Sequence, residues 1–189
     1  MKRKNASTLQ QLRAQARRDA QKHPRAKTPQ QPSRKPEVTV RFEKKLPAIS
    51  HRAFDRDIHS AISEIRRTTK HALANAVSIL VTDDSQMRKL HRKYKGENTT
   101  TDVLTFCASE DDRSGAEQFP IDIVICADEA ARRSRELGHS IYRELLLYVV
   151  HGLLHCVGYD DHTTKQSARM HREEDRILEA IGIGPTYKK

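Results

Sequence analysis

No apolar run in this chain of 189 residues approaches the ~18 needed to cross a bilayer. The longest, Leu145–Val150, is the length of a core helix segment. The N-terminus lacks the apolar stretch of a secretory signal, so export by that route is not expected. Only three cysteines are present, Cys107, Cys126 and Cys156, and no two of them form a CxxC pair. That excludes a disulfide framework and fits a reducing, cytoplasmic setting. Buried packing is the expected role of all three.

Acidic residues are nearly missing from the first 36 positions. This stretch holds eleven Lys and Arg against a single acid, Asp19, and so carries the whole formal charge of +10. It also holds Pro24, Pro29, Pro32 and Pro36 and no aromatic residue. Such a segment cannot bury enough apolar surface to offset its ordering entropy, so residues 1–36 are read as a disordered cationic arm. Arms of this kind bind polyanions by releasing counterions from phosphates. A solubilising tail and a mitochondrial transit peptide are the plainer readings, although the apolar face of the latter (Leu9, Leu12, Ala16) is thin. Residues 37–189 are electrically balanced and long enough for one domain with a real core, but not for two.

Within that domain, Val38, Val40 and Phe42 alternate in Glu37–Glu43, the period of a half-buried strand. Ile49, Phe54, Ile58, Ile62 and Ile65 recur at helical spacing. Ala76–Thr82, Thr101–Phe106 and Ile121–Cys126 read as three further strands. Asp83–Ser85 offer a cap for a short helix through Lys93. Asp128 is expected to cap a helix ending at Gly138, Ser140 a helix over Ile141–Val157, and Thr163 a last amphipathic helix ending at Gly182. Strands interleaved with helices imply a single α+β domain. Strand order does not follow from the pattern.

The richest stretch is HGLLHCVGYDDH, residues 151–162. His151 and His155 stand four apart, hence on one face of a helix. Gly158 can end that helix in the left-handed conformation, which lets His162 return toward the same point. Three neutral imidazoles suit one Zn²⁺ and leave a fourth position for water or substrate. Metalloproteases carry glutamate after the first histidine as the base; Gly152 cannot play that part. A glycine there either leaves open space beside the metal or permits close helix packing.

Four stretches together resemble the YbeY family, bacterial endoribonucleases and rRNA maturation factors with the hallmark HGxLHxxGYDH. They are LHRKYKGENTTTDVLTF (90–106), IDIVICADEA (121–130), ELGHSIYRELLLYVVHGLLHCVGYDDH (136–162) and MHREED (170–175). The resemblance covers most of residues 38–182 and leaves the basic arm outside. It implies a mixed four-stranded sheet packed with helices, the histidine helix at its centre. It further implies a zinc-dependent, single-strand-specific endoribonuclease of small-subunit rRNA maturation and ribosome quality control, with His151 and His155 as ligands of one zinc ion. RNA and the ribosome, or its small-subunit proteins, are then the expected partners.

The chain departs from the family in two places. Six residues separate His155 from His162 where the family has five, so the usual offset falls on Asp161. His162 is the expected third ligand because the family's is histidine, and Asp161 is the alternative. The family's YRG reads YKG here, placing Lys95 where an arginine would clamp phosphate, and lysine offers a point charge instead. Orientation of a ligand histidine is expected from Asp160 or Asp161, and no residue stands out as the general base. His139 and His171 read as surface histidines. The rival functions are a non-catalytic ribosome-associated RNA-binding factor with structural zinc, and a metallopeptidase with an unconventional base.

Overall fold

β-Branched residues at alternate positions build the sheet, and the computed structural model describes it within residues 36–69, 73–107 and 120–187. The expected arm, apart from Pro36, and residues 108–119 lie outside these residues. In chain order the elements are β1 (Glu37–Phe42), α1 (His51–Thr68), β2 (Ala76–Thr82), α2 (Asp84–Lys95) and β3 (Val103–Phe106). Then come β4 (Ile121–Cys126), α3 (Ala127–Leu137), α4 (Ile141–Cys156) and α5 (Thr164–Ala180). The sheet order is β1-β2-β4-β3. β1–β2 and β2–β4 are parallel, in the registers Val38 to Val77 and Ile79 to Ile123, and β3 runs antiparallel to β4 along the edge. This is the mixed four-stranded sheet of a single α+β domain.

Period-2 alternation divides the side chains between two cores. Val77, Ile79, Val81, Ile121, Ile123 and Ile125 face the main core, which the apolar stripes of α1, α4 and α5 complete. Leu80, Val124 and Cys126 point the other way, against Met87 and Leu90 of α2 and against Leu104 and Phe106. The expected stripe of α1 is buried throughout, from Ile49 to Ile65. No helix among the described residues is long and apolar enough to cross a membrane.

Helix ends follow the chemistry of their flanking residues, with one exception. Ser50, Asp83, Ser140 and Thr163 each accept a backbone N–H from the first turn, and Thr163 with Gln166 forms a reciprocal capping box. Asp128 does not cap its own helix. Its carboxylate instead accepts the backbone N–H of Asp84 at 3.0 Å and pairs with Lys44, because β2 and β4 lie side by side and bring the two helix starts together. Asp84 in turn takes two hydrogen bonds from Arg132 at 2.7 and 2.8 Å and one from Thr100 at 3.1 Å. The Arg132 guanidinium holds the Asp84 carboxyl far below the usual carboxylate range. This knot fixes the loop that leads from α2 into β3.

Helix α4 is apolar around nearly its whole circumference, as a central helix must be. It packs on β3, β4, α1, α3 and α5. Gly152 makes its approach to the sheet possible. A Cβ there would stand 2.6 Å from Thr105 Oγ1 and 3.3 Å from Ile123 Cδ1. Close packing, not open space beside a metal, is therefore what this glycine provides.

Candidate metal centre

His151 and His155 project from the last two turns of α4, and their Nε2 atoms meet 2.9 Å apart. Each ring is aimed by a partner at its other nitrogen. His151 Nδ1 lies 2.6 Å from Oε1 of Glu174, a fully buried residue of α5. His155 Nδ1 lies 3.1 Å from the backbone carbonyl of Tyr159, in the turn after Gly158. Both partners are acceptors, so both Nδ1 atoms carry the hydrogen and both Nε2 atoms are left as lone pairs. Two lone pairs at 2.9 Å repel one another unless a proton or a cation sits before them.

Asp161 supplies a third donor. Its carboxylate oxygens are 3.8 Å from His151 Nε2 and 4.0 Å from His155 Nε2. One ligand atom from each of the three residues lies within 4.8 Å of the others. His162 stands differently. Its side chain is 82% exposed and its Nε2 faces Asp160 Oδ1 at 3.4 Å. The structure thus gathers two of the three expected histidines, with Asp161 as their neighbour, and places His162 in a separate cluster with Asp160 and Asp161. The physical reason is the length of the loop: the side chain at the sixth position after His155 turns back to the helix, and the next turns out.

Electrostatics separate the two rings. Burial pulls the His151 imidazole down, but the Glu174 carboxylate at 2.6 Å outweighs it and raises the group above its ordinary value. Burial, and then the neighbouring charge of His151, lower His155. A donor set of two imidazoles and a carboxylate, with both rings held from behind, fits a zinc-type cation.

Two of the three donors, His151 and Asp161, line a cleft of about 460 Å³, together with Thr101, Asp102, Glu144 and Tyr148. Lys95 is exposed at the end of α2, before Gly96 in the left-handed conformation (φ 78°), and the cleft wall begins five residues later at Thr100. His171 lines the cleft too, stacked on the ring of Tyr187 at 3.9 Å. The ring of His139 is only 7% exposed and lies against buried Glu144. Neither is the plain surface histidine that its spacing suggests. Cys126 and Cys156 are buried as expected, and burial pushes the Cys126 thiol up to about 11, but Cys107 is exposed. Glu174 had no signal in spacing, since 23 residues separate it from His151; its presence in MHREED was the only hint.

A family model described as Endoribonuclease YbeY matches residues 39–182. The Endoribonuclease YbeY of Roseiflexus castenholzii is 38% identical over 132 residues, covering 67% of this chain and 82% of that protein. Its counterpart in Carboxydothermus hydrogenoformans is 34% identical over 110 residues, covering 58% and 75%. The solution structure of a Thermotoga maritima protein aligns with a TM-score of 0.53 at 21% identity, covering 76% of this chain and 88% of that one, a likeness of fold.

Proposed function

Because the chain belongs to the Endoribonuclease YbeY family, we propose that it is a zinc-dependent endoribonuclease acting on single-stranded RNA. Its setting is the maturation of small-subunit ribosomal RNA and ribosome quality control in the cytoplasm, with ribosomal partners. One observation carries the metal part of this reading: two imidazole lone pairs converge at 2.9 Å beside a carboxylate, at the edge of a cleft. His151 and His155 would hold the ion, with Asp161 as third donor in place of the expected His162. The ion, when bound, supplies Lewis acidity to a phosphoryl oxygen and to water.

The remaining work falls to side chains of this chain. Glu174 and the Tyr159 carbonyl hold the imidazoles in the tautomer that faces the ion. Thr100 and Thr101 offer hydroxyls along the cleft wall. Lys95 attracts the phosphate backbone as a point charge, and it closes a basic face of α2 made by Arg88, Lys89, Arg92 and Lys93. Residues 1–36 add ten net positive charges and with them affinity that does not depend on sequence.

The experiment is cleavage of a single-stranded and a duplex RNA by purified protein, with and without a chelator. Cleavage of the single strand alone, lost with the metal and in His155→Ala, is the expected result. Cleavage that survives metal removal refutes the mechanism. For the third donor, zinc affinity by chelator competition should fall in Asp161→Asn and hold in His162→Ala; the reverse order returns the assignment to His162.

A further inference from the structure

After Ala180 the chain reverses and runs back along α5. Gly182 and Gly184 make the reversal, both in the left-handed conformation (φ 80° and 86°) that suits glycine. The return follows one stripe of the helix, Leu178, Asp175 and His171, spaced by three and four residues. The amides of Ile183 and Gly184 donate to the Leu178 carbonyl at 2.9 and 3.2 Å. Those of Thr186 and Tyr187 donate to Oδ1 of buried Asp175 at 2.7 and 3.1 Å. Arg143 of α4 donates to the Pro185 carbonyl at 3.2 Å. Segments of this length fray unless tied down, and here a buried carboxylate and an arginine hold the backbone in place.

What these ties deliver is the ring of Tyr187. It lies flat on the imidazole of His171, centroids 3.9 Å apart and planes 15° from parallel, and both residues line the cleft of His151 and Asp161. Yet Tyr187 is 43% exposed, and among the described residues no ring other than His171 stacks on it. An aromatic that serves the core hides its faces, because the buried area is what stabilises. This one is held in order and left half open. Its place relative to the metal centre is set by α5. His171 stands one turn before Glu174, and such neighbours lie about 5–6 Å apart between Cβ atoms. Glu174 in turn grips His151 Nδ1 at 2.6 Å. Burial, and then the charge of Glu174, raise the Tyr187 phenol above its ordinary value, so its hydroxyl stays a donor near that carboxylate.

We propose that the His171–Tyr187 pair is a nucleobase subsite, where one unpaired base of the RNA strand stacks on the open face of Tyr187. This rests on the RNA reading of the neighbouring metal centre. It goes beyond that reading because residue 187 lies past the span 39–182 that the family model matches. The charge of the cleft selects the occupant. Asp102, Glu129, Glu144 and Asp161 outnumber Arg133 along the wall, so away from the metal a bare phosphate is disfavoured and a neutral ring is admitted.

The subsite reads whether a base is unpaired rather than which base it is, since every base presents a stacking face. A base within a duplex is already paired and stacked, and it reaches a protein ring only by extrusion. Selection of single strands thereby gains a seat on residues that are not metal donors.

The test walks a single abasic nucleotide along a single-stranded RNA. It reads KM and kcat with zinc present, and equilibrium affinity with the metal chelated. At one position affinity should fall about 5- to 150-fold, the range for one stacked base, and the loss should appear in KM rather than kcat. Tyr187→Leu should lose as much affinity for the intact strand and nothing more for the strand abasic at that position. Tyr187→Phe, which keeps the ring, should bind like the unaltered protein. Additive losses in Tyr187→Leu and the abasic strand, or the lack of any sensitive position, overturn the proposal. A second measurement needs no variant, and so decides even where Tyr187→Leu does not fold. 5-Iodouridine at the sensitive position should photocrosslink to Tyr187 or His171 of the unaltered protein; a crosslink elsewhere overturns the assignment. Binding with a sensitive position but without cleavage would remove the nuclease reading and leave the subsite, whereas cleavage without such a position would remove the subsite alone.

Discussion

A Cβ added at residue 152 would meet Thr105 Oγ1 at 2.6 Å and two methyl groups of Ile123 at 3.3 and 3.4 Å. Alanine there gains about 1 kcal/mol of helix propensity over glycine, while overpacking a tight core costs about 1–3 kcal/mol. Since both neighbours must move, the net is expected to be a loss. Gly152→Ala should lower the urea midpoint, and adding Thr105→Ala should recover part of it; independent losses at the two sites would argue against direct overlap. The same crowding explains why no glutamate stands after His151. At Glu174 the prediction concerns affinity. Glu174→Gln keeps the shape but weakens the grip on His151 Nδ1, so zinc affinity by chelator competition should drop about 10- to 100-fold. Unchanged affinity would reduce Glu174 to packing.

Among the elements, α2 joins two surfaces of opposite character. Met87 and Leu90 pack on the sheet, while Arg88, Lys89, Arg92, Lys93 and Lys95 are exposed or nearly so, and no acid lies between Ser85 and Gly96. Tyr94 borders this basic face, half exposed, its ring edge-on to Phe106 at 4.8 Å. The knot of Asp84, Arg132 and Thr100 holds the far end of the following loop against the cleft. Under the proposed function, this element is the one that leads a phosphate backbone toward the candidate metal centre. Replacing Arg88 and Arg92 by glutamine should weaken RNA binding similarly for all sequences. Each lost phosphate contact should flatten the slope of log affinity against log salt by about one. A slope that does not change would make the face a solvated surface only.

Across the whole molecule, Glu64 of α1 is bridged to α5 through Arg176 and is held by its helix neighbour Arg67 at 2.7 Å. Hydrogen bonds from Arg67 and then Arg176 bring its carboxyl down to about 2. A carboxyl depressed in the folded state contributes stability above its unfolded value of 4.5, and that contribution fades as pH falls toward 2. Urea unfolding between pH 6 and pH 3 should thus show a decline, and Glu64→Gln should be less stable at the upper end and flatter throughout. An unaltered slope in that variant would mean that other carboxylates govern acid unfolding.

The order and type of the elements, the buried stripe of α1, the caps at Ser140 and Thr163 and the pairing of His151 with His155 were legible in the chain, whereas the start of β3 and the end of α2 each moved by two residues. Each depends on residues a few positions apart, and helical or strand geometry fixes such neighbours locally. Family membership was legible too, because its motifs are contiguous. The tertiary structure alone decided which residues meet across long separations: Glu174 behind His151, His139 against Glu144, Asp128 beneath Asp84, Gly152 against Thr105. It also decided which of two adjacent loop residues turns toward the imidazoles. These contacts follow from how sheet and helices stack, a balance of packing and buried polar groups spread over the whole domain, and no short stretch of sequence encodes that balance.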